Sequence, residues 1–247
     1  NKLRGTFLQG LLKHNTNGRI HAHINQIRSD SGGTVSGRFS YNHPNLQQIP
    51  SRGQFAQEIR KLFIPEIGEY WLKADYSQQE PRLLTHWACL VGQMGAEEVK
   101  EAYKKSDLDF HQQTADMAGV ERRLAKTIGL GVMYGMGYNK MARELDIDPQ
   151  DAKKMLKDFR ERVPFMQGML EAVMNRANSK GIIRTLLGRK CRFDLWEPTQ
   201  WGVHKALPHN QAKVEYGEAI KRAGTYKALN RLIQGSAADQ TKKAMVD

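Results

Sequence analysis

Asp75-Tyr76-Ser77-Gln78-Gln79-Glu80-Pro81-Arg82 follows directly on Tyr70-Trp71-Leu72-Lys73-Ala74, an apolar, aromatic-rich run. The run reads as a buried strand with its end at Asp75. A carboxylate at a strand end faces a cleft while the strand fixes its direction, and that suits a metal ligand. Further along, Arg122, Lys126, Leu130 and Tyr134 recur at every fourth position. On a helix such positions are offset by about 40° each and form one slowly winding stripe about 18 Å long. The two cations that open it suit a triphosphate, whose charge is spread over several oxygens, and Tyr134 suits a base to be stacked on. A charged i, i+4 pair by itself is more often a solvated helix face, and a lone Asp-Tyr-Ser a solvent-facing strand end. Their occurrence together, in this order, is what carries information.

Composition agrees with an anionic partner. The chain has 247 residues, enough for one large or two small domains, with 38 Lys+Arg against 26 Asp+Glu and a formal charge of +12. Such a balance makes nucleic acid the first candidate, although solvated surface charge gives the same total. Cys89 and Cys191 have neither metal-ligand spacing nor a disulfide framework and read as packing residues of a reducing compartment. No long apolar run and no secretory or transit leader is present, so the cytoplasm is the expected compartment. The sequence starts at Asn1 without Met and closes on Thr241-Lys242-Lys243-Ala244-Met245-Val246-Asp247 without a Gly or Pro stop, so both ends read as cut.

Up to about Pro65 turn signals dominate: Asn17-Gly18, Ser31-Gly32-Gly33, Asn42-His43-Pro44-Asn45 and Ile49-Pro50 separate short segments such as Arg19 to Ile24. From Pro81 to Ser179 the period becomes helical, with Leu83, Leu84, Trp87 and Leu90, then Ala152, Met155, Leu156 and Phe159. Asp148-Pro149 opens the latter helix as an N-cap followed by a first-turn proline. Gly181 to Phe193 reads as a hairpin turning at Leu187-Gly188, and a long helix is expected from near Asn210.

With Gly37-Arg38 upstream and Gln234-Gly235-Ser236-Ala237-Ala238-Asp239 downstream, the two motifs resemble the polymerase half of a family A DNA polymerase, the class of bacterial DNA polymerase I and many phage replicases. The resemblance runs through nearly the whole chain. It implies an α+β fold: a palm of antiparallel sheet and helices at residues 1–81, mainly helical fingers inserted at 82–226, and the palm resuming at 227–247. It also implies template-directed deoxynucleotidyl transfer to a primer 3′ end by two Mg²⁺ ions, with primer-template DNA and dNTPs as partners.

Site residues follow from the same resemblance. Asp75 and the backbone carbonyl of Tyr76 would ligate metal, and Lys126 would act in catalysis. Gln78, Glu80, His111, Arg122, Lys126, Leu130 and Tyr134 would meet the incoming nucleotide, with Glu80 excluding the ribose 2′ hydroxyl and His111, in Asp109-Phe110-His111, reaching the triphosphate. Arg38, Asn45, Gln47, Arg82, Asn230 and Gln234 would follow primer and template, Arg38 through minor-groove acceptors common to all correct pairs.

The departures are informative. The family usually has Ile and Leu at Gln79 and Pro81, Phe or Tyr at Leu130, and often Arg at Tyr226. Gln79, Pro81 and Leu130 lean towards phage-type members. Gly129 and Gly131 flank Leu130, each at about 1 kcal/mol against Ala in a helix, which suggests either a loosened helix or a helix end. The His-Asp-Glu turn that supplies the family's second metal-binding aspartate is absent, and no His-Asp pair occurs in the chain. The expectation is therefore a fragment that binds more readily than it catalyses. Two rivals remain: a single-subunit RNA polymerase, which shares Arg-x3-Lys-x7-Tyr-Gly but not Glu80, and a non-catalytic basic nucleic-acid-binding module.

Overall fold

The computed structural model describes residues 3–30, 32–105, 109–200 and 202–247, so Ser31 of the expected Ser31-Gly32-Gly33 turn lies outside the described residues. The chain divides into two compact units, Asn1–Ser77 and Gln78–Asp247.

The first unit is built of short pieces, as its turn-rich sequence predicts. A wide helical turn at Leu3–Gln9 runs into α1 (Gly10–Leu12). Two antiparallel pairs follow, β1 (Asn15–Thr16) with β2 (Arg19–Ile20) and β3 (His23–Asn25) with β4 (Ser40–Asn42). The expected single segment from Arg19 to Ile24 is thus split between two sheets. A 3-10 turn at Leu46–Gln48 and the short helix α2 (Ala56–Lys61) complete the unit.

The strand expected at Tyr70 to Ala74 does not form. Residues 69–76 have no regular secondary structure, and Tyr70, Trp71 and Leu72 are 94%, 71% and 91% exposed. Aromatic composition sets a propensity, but a strand exists only where its N–H and C=O groups meet a neighbour. The described strands of this unit pair only with one another.

The second unit is mainly helical: α3 (Gln79–Leu90), α4 (Ala96–Lys105), α5 (Phe110–Ala118), α6 (Arg122–Met133), α7 (Tyr138–Leu145), α8 (Pro149–Arg162) and α9 (Pro164–Lys180). The ends follow local chemistry. Asp109 and Asp148 cap α5 and α8 through their carboxylates, prolines occupy the first turns of α3, α8 and α9, and Gly119 and Gly181 close α5 and α9 in the left-handed region. The hairpin β5 (Ile182–Arg184) and β6 (Lys190–Arg192) forms in the expected place. A three-stranded antiparallel sheet of β7 (Leu195–Pro198), β8 (Leu207–Pro208) and β9 (Ile220–Arg222) carries α10 (His209–Tyr216) between its last two strands.

The long helix expected from Asn210 is instead this eight-residue α10, which stops at Gly217 with φ 75° and ψ −160°, a conformation outside any helix. The long helix is α11 (Ala228–Ala244). It buries Leu229, Leu232, Ile233 and Ala237 and packs against α3 and α9 in one continuous core with Leu84, Phe110, Ile128 and Phe165. The compact units therefore do not coincide with segments 1–81, 82–226 and 227–247: the division falls at Ser77/Gln78, and α11 packs with the helices of the second unit. Small antiparallel sheets beside a helical body make the chain α+β.

Asp239, on the buried face of α11, is 8% exposed. Its carboxylate accepts from Arg189 Nε at 3.0 Å and from Leu187 N at 3.3 Å, and Arg189 Nη2 donates to the Gly235 carbonyl at 2.9 Å. It fastens the β5–β6 turn to α11.

The helix runs unbroken through Gly129 and Gly131, so no helix end lies there. A Cβ at Gly129 would meet only ordinary contacts, Met166 Cε at 3.7 Å and Phe159 Cζ at 3.8 Å, whereas one at Gly131 would lie 2.7 Å from Met136 Cε. Gly129→Ala is therefore expected to raise stability by about 0.5–1 kcal/mol in urea unfolding. Gly131→Ala should gain less or lose, because Met136 must move; an equal gain at both positions would show that packing at Gly131 is not limiting.

Candidate functional site

The stripe expected on one helix is on one helix. Arg122, Lys126 and Leu130 lie on α6 and Tyr134 is its C-terminal cap residue. Ala125, Ile128 and Val132 bury the opposite face, so the core fixes which side the cations present. Arg122 and Lys126 are exposed, while Leu130 and Tyr134 are half-buried and pack against the core.

Asp109 organises the cationic end. One carboxylate oxygen, Oδ1, accepts from the backbone N–H groups of His111 and Gln112 at 3.0 and 3.1 Å. The other, Oδ2, takes Arg122 Nε and Nη2, each at 2.7 Å. Burial raises the carboxyl pKa, but the Arg122 hydrogen bond and the capping N–H groups outweigh it and leave the pKa below the ordinary value. Sequence reading assigned Asp109 no role, although an Asp just before a helical run is itself an N-cap signal.

His111 is brought beside the same cations. Burial, then the positive charge of Lys126, pushes its pKa down; Asp109 pulls upward and Arg122 pushes down again. Its Nδ1 is sealed from solvent and has no hydrogen-bond partner among the described residues. Three donors expected to face phosphate thus share one electrostatic neighbourhood, and an anion placed there relieves repulsion among them.

At the other end of the stripe the Tyr134 hydroxyl donates to Glu80 Oε2 at 2.7 Å. The bond ties the end of α6 to the first turn of α3 and fixes the direction of the Glu80 carboxylate. Gln78, the cap residue of α3 at φ 51°, has its side-chain oxygen engaged by Phe110 N at 2.9 Å and Tyr103 Oη at 3.4 Å. The guanidinium of Arg82 lies 4.4 Å from the centre of the Tyr103 ring. Gln78 and Arg82 therefore serve the seam between α3, α4 and α5. Gln79 reaches α11: its Nε2 lies within 3.2 Å of the Ala237 carbonyl, Gln240 Oε1 and Thr241 Oγ1. The residue that departs from the family pattern is thus an anchor, which sequence reading missed.

Asn230 and Gln234 are half-buried neighbours one turn apart on α11. Tyr226, with Lys227 Nζ 5.2 Å from its ring centre, lines a cavity of about 600 Å³ with Leu130, Tyr134 and Lys140. In the first unit Arg38 is exposed, its carbonyl held by Thr34 Oγ1 at 2.8 Å. Asn45 caps its 3-10 turn by accepting from Gln47 N at 3.1 Å, and Gln47 Nε2 donates to the Phe39 carbonyl at 3.1 Å. Arg38, Asn45 and Gln47 are thereby brought into one loop cluster.

Asp75 and Tyr76 are exposed at the end of the first unit. The Asp75 carboxylate and Tyr76 carbonyl are oxygen donors of the kind Mg²⁺ takes. Among the described residues no group of three or more His, Cys, Asp or Glu could hold a metal. The donors present fit part of one Mg²⁺ shell and not a two-ion set.

A helix that offers clustered cations at one end and a carboxylate-pinned tyrosine at the other suits an anion at the first end. Comparison with known proteins gives the family. The profile described as DNA polymerase family A matches residues 1–247, and the chain belongs to that family. It is 37% identical to a DNA-directed DNA polymerase of Pseudomonas phage M6, over 100% of this chain and 41% of that protein. It is 34% identical to the thermostable DNA polymerase I of Thermus filiformis, over 99% of this chain and 27% of that protein. Among solved structures, the POL domain of Pol1 from M. smegmatis in complex with DNA primer-template and dNTP matches 96% of this chain and 39% of its own, with TM-score 0.71 and 29% identity. The chain thus spans well under half the length of these relatives.

His111 generates a pH prediction. A histidine whose folded pKa lies below its ordinary value contributes stability in full above that value, and the contribution fades as pH falls through the folded pKa. The urea midpoint of the wild type should therefore fall between pH 7 and pH 5 by more than that of His111→Gln. Equal falls would show that His111 does not titrate as described.

Proposed function

We propose that this chain carries the nucleotide- and template-handling part of a DNA-directed DNA polymerase that adds deoxynucleotides to a primer 3′ end. The observation that supports it best is α6 itself, with Arg122, Lys126 and His111 clustered at one end and Tyr134 bonded to Glu80 at the other. In this reading residues 1–81 belong to a palm, 82–226 to fingers and 227–247 to the returning palm. Primer-template DNA and dNTPs are the partners, and the cytoplasm, the host's for a phage enzyme, is where it works.

Each residue has a physical task. Lys126 and His111 hold the triphosphate, and Lys126 offsets charge that develops on the leaving pyrophosphate. Arg122 joins them by exchanging its carboxylate partner for phosphate, so nucleotide binding would break the Asp109 ion pair. Glu80, its carboxylate directed by Tyr134, fills the space a ribose 2′ hydroxyl would need. Leu130 presents no ring to the incoming sugar, which favours rejection of dideoxynucleotides. Asp75 and the Tyr76 carbonyl supply part of the shell of Mg²⁺, which when bound lowers the pKa of the primer 3′ hydroxyl and neutralises phosphate charge. Because this sequence holds no His-Asp pair, the chain alone is expected to bind substrates rather than turn them over.

Primer extension with Mg²⁺ and dNTPs by the complete gene product is the test. Asp75→Ala is expected to lower the rate roughly 10³-fold or more, and Lys126→Ala roughly 10- to 100-fold. Leu130→Tyr should markedly increase dideoxynucleotide incorporation, and Glu80→Ala should admit rNTPs. No extension, with DNA affinity indifferent to Mg²⁺ and to Asp75→Ala, would establish the basic binding module instead. Preferential rNTP incorporation by the unaltered protein would establish the RNA polymerase.

A further inference from the structure

The strongest concentration of positive charge outside the site described lies on α8. Lys153, Lys154, Lys157 and Arg160 line a groove of about 710 Å³ together with Tyr138 of α7 and Gln167 of α9. Two of the three carboxylates of α8 lie away from it. Asp151 and Asp158 line a different cavity, with Gly119 and Arg162, and of the acidic residues of α8 only Glu161 shares the groove with the cations. Glu161 is a loose partner: its Oε1 is 3.7 Å from Lys157 Nζ, with both side chains largely exposed. The groove side of α8 thus carries four cations and one carboxylate, while the side of Asp151 and Asp158, with Lys154 and Arg162, is mixed in sign.

Two further observations indicate an anionic ligand carrying flat rings. Arg160 is half-buried, its Nε is sealed from solvent without a hydrogen-bond partner among the described residues, and burial pushes its pKa down with Glu171 partly offsetting. A cation held at such a desolvation cost is stabilised by an anion in the groove. Tyr138 is 39% exposed, and its ring, with Lys153 Nζ 6.0 Å from the centre, faces the same space. Cations with an interleaved aromatic are the elements of a single-strand platform, phosphates on the former and a base on the latter. Lys153 and Lys157 stand four residues, or about 6 Å, apart along the axis, close enough to meet neighbouring phosphates of one strand.

We propose that the groove between α7, α8 and α9 binds single-stranded DNA, its phosphates on Lys153, Lys157 and Arg160 and one base stacked on Tyr138. This is a site distinct from the α6 stripe, and it does not depend on the catalytic reading.

The test is fluorescence anisotropy of a labelled oligothymidylate with the 247-residue chain, in EDTA and without dNTPs, so that loss of catalysis cannot affect the result. Lys153→Gln with Lys157→Gln is expected to weaken binding at least tenfold and to make the log–log salt slope shallower by about 1.4, because two phosphates are no longer neutralised. Tyr138→Ala should weaken binding roughly 5- to 100-fold and Tyr138→Phe should bind as the unaltered chain does. All the lysines altered are exposed, and unchanged thermal unfolding would show that the fold persists. Wild-type affinity in the double variant would overturn the proposal. So would a lysine-dependent site that polyglutamate occupies equally well and that is insensitive to Tyr138→Ala, which would mark a dock for an acidic peptide.

Discussion

The carboxylate of Asp109 sets the geometry on which the cationic end of the candidate site depends. One oxygen ends the orphan N–H groups of α5, and the other holds Arg122 at the opening of α6. Two helices are thereby locked at their N-termini by a single side chain. The lock places His111 beside Lys126, and the buried face of α6 does the remainder by fixing rotation about its axis. At the far end Tyr134 meets Glu80, so the helix is held by one carboxylate at each end. Both contacts are charge-assisted hydrogen bonds, about twice as strong as neutral ones.

Much of this was legible in the sequence because it is written locally. The i, i+4 spacing from Arg122 to Tyr134 needs only a helix to make a stripe, and the Asp148-Pro149 start and the Leu187-Gly188 turn carry their own signals. What failed was what requires a distant partner. Tyr70 to Ala74 has strand composition and no strand, since pairing is not a local property. The helix expected from Asn210 stops at Gly217, whose backbone leaves the helical region despite an otherwise helix-compatible run.

The site residues divide in the same way. Arg122, Lys126 and Tyr134 were read from their spacing and His111 and Glu80 from the resemblance; His111 lies with the two cations at one end of α6, and Tyr134 meets Glu80 at the other. Gln78 and Arg82 were expected at nucleotide and DNA, but their visible contacts lie in the seams between helices, as do those of Gln79, which was singled out only as a departure. A glutamine has no sequence signature that separates an anchor from a ligand contact, because its hydrogen bonds are decided by what the fold brings opposite. The cationic groove of α8 was invisible for a related reason. Its acidic and basic residues are interspersed along the chain, and only the helix gathers Lys153, Lys157 and Arg160 on one side.

The exposed run at Tyr70-Trp71-Leu72 has a bearing on handling. Three large apolar side chains in an extended segment, with backbone groups that no described strand pairs, form a surface to which another extended chain can add. Such an edge is indifferent to whether the added strand comes from the same protein or a neighbour, so what governs it is concentration. The short apolar run beside Asp75 is consequently one place where self-association of the chain is expected to rise with concentration.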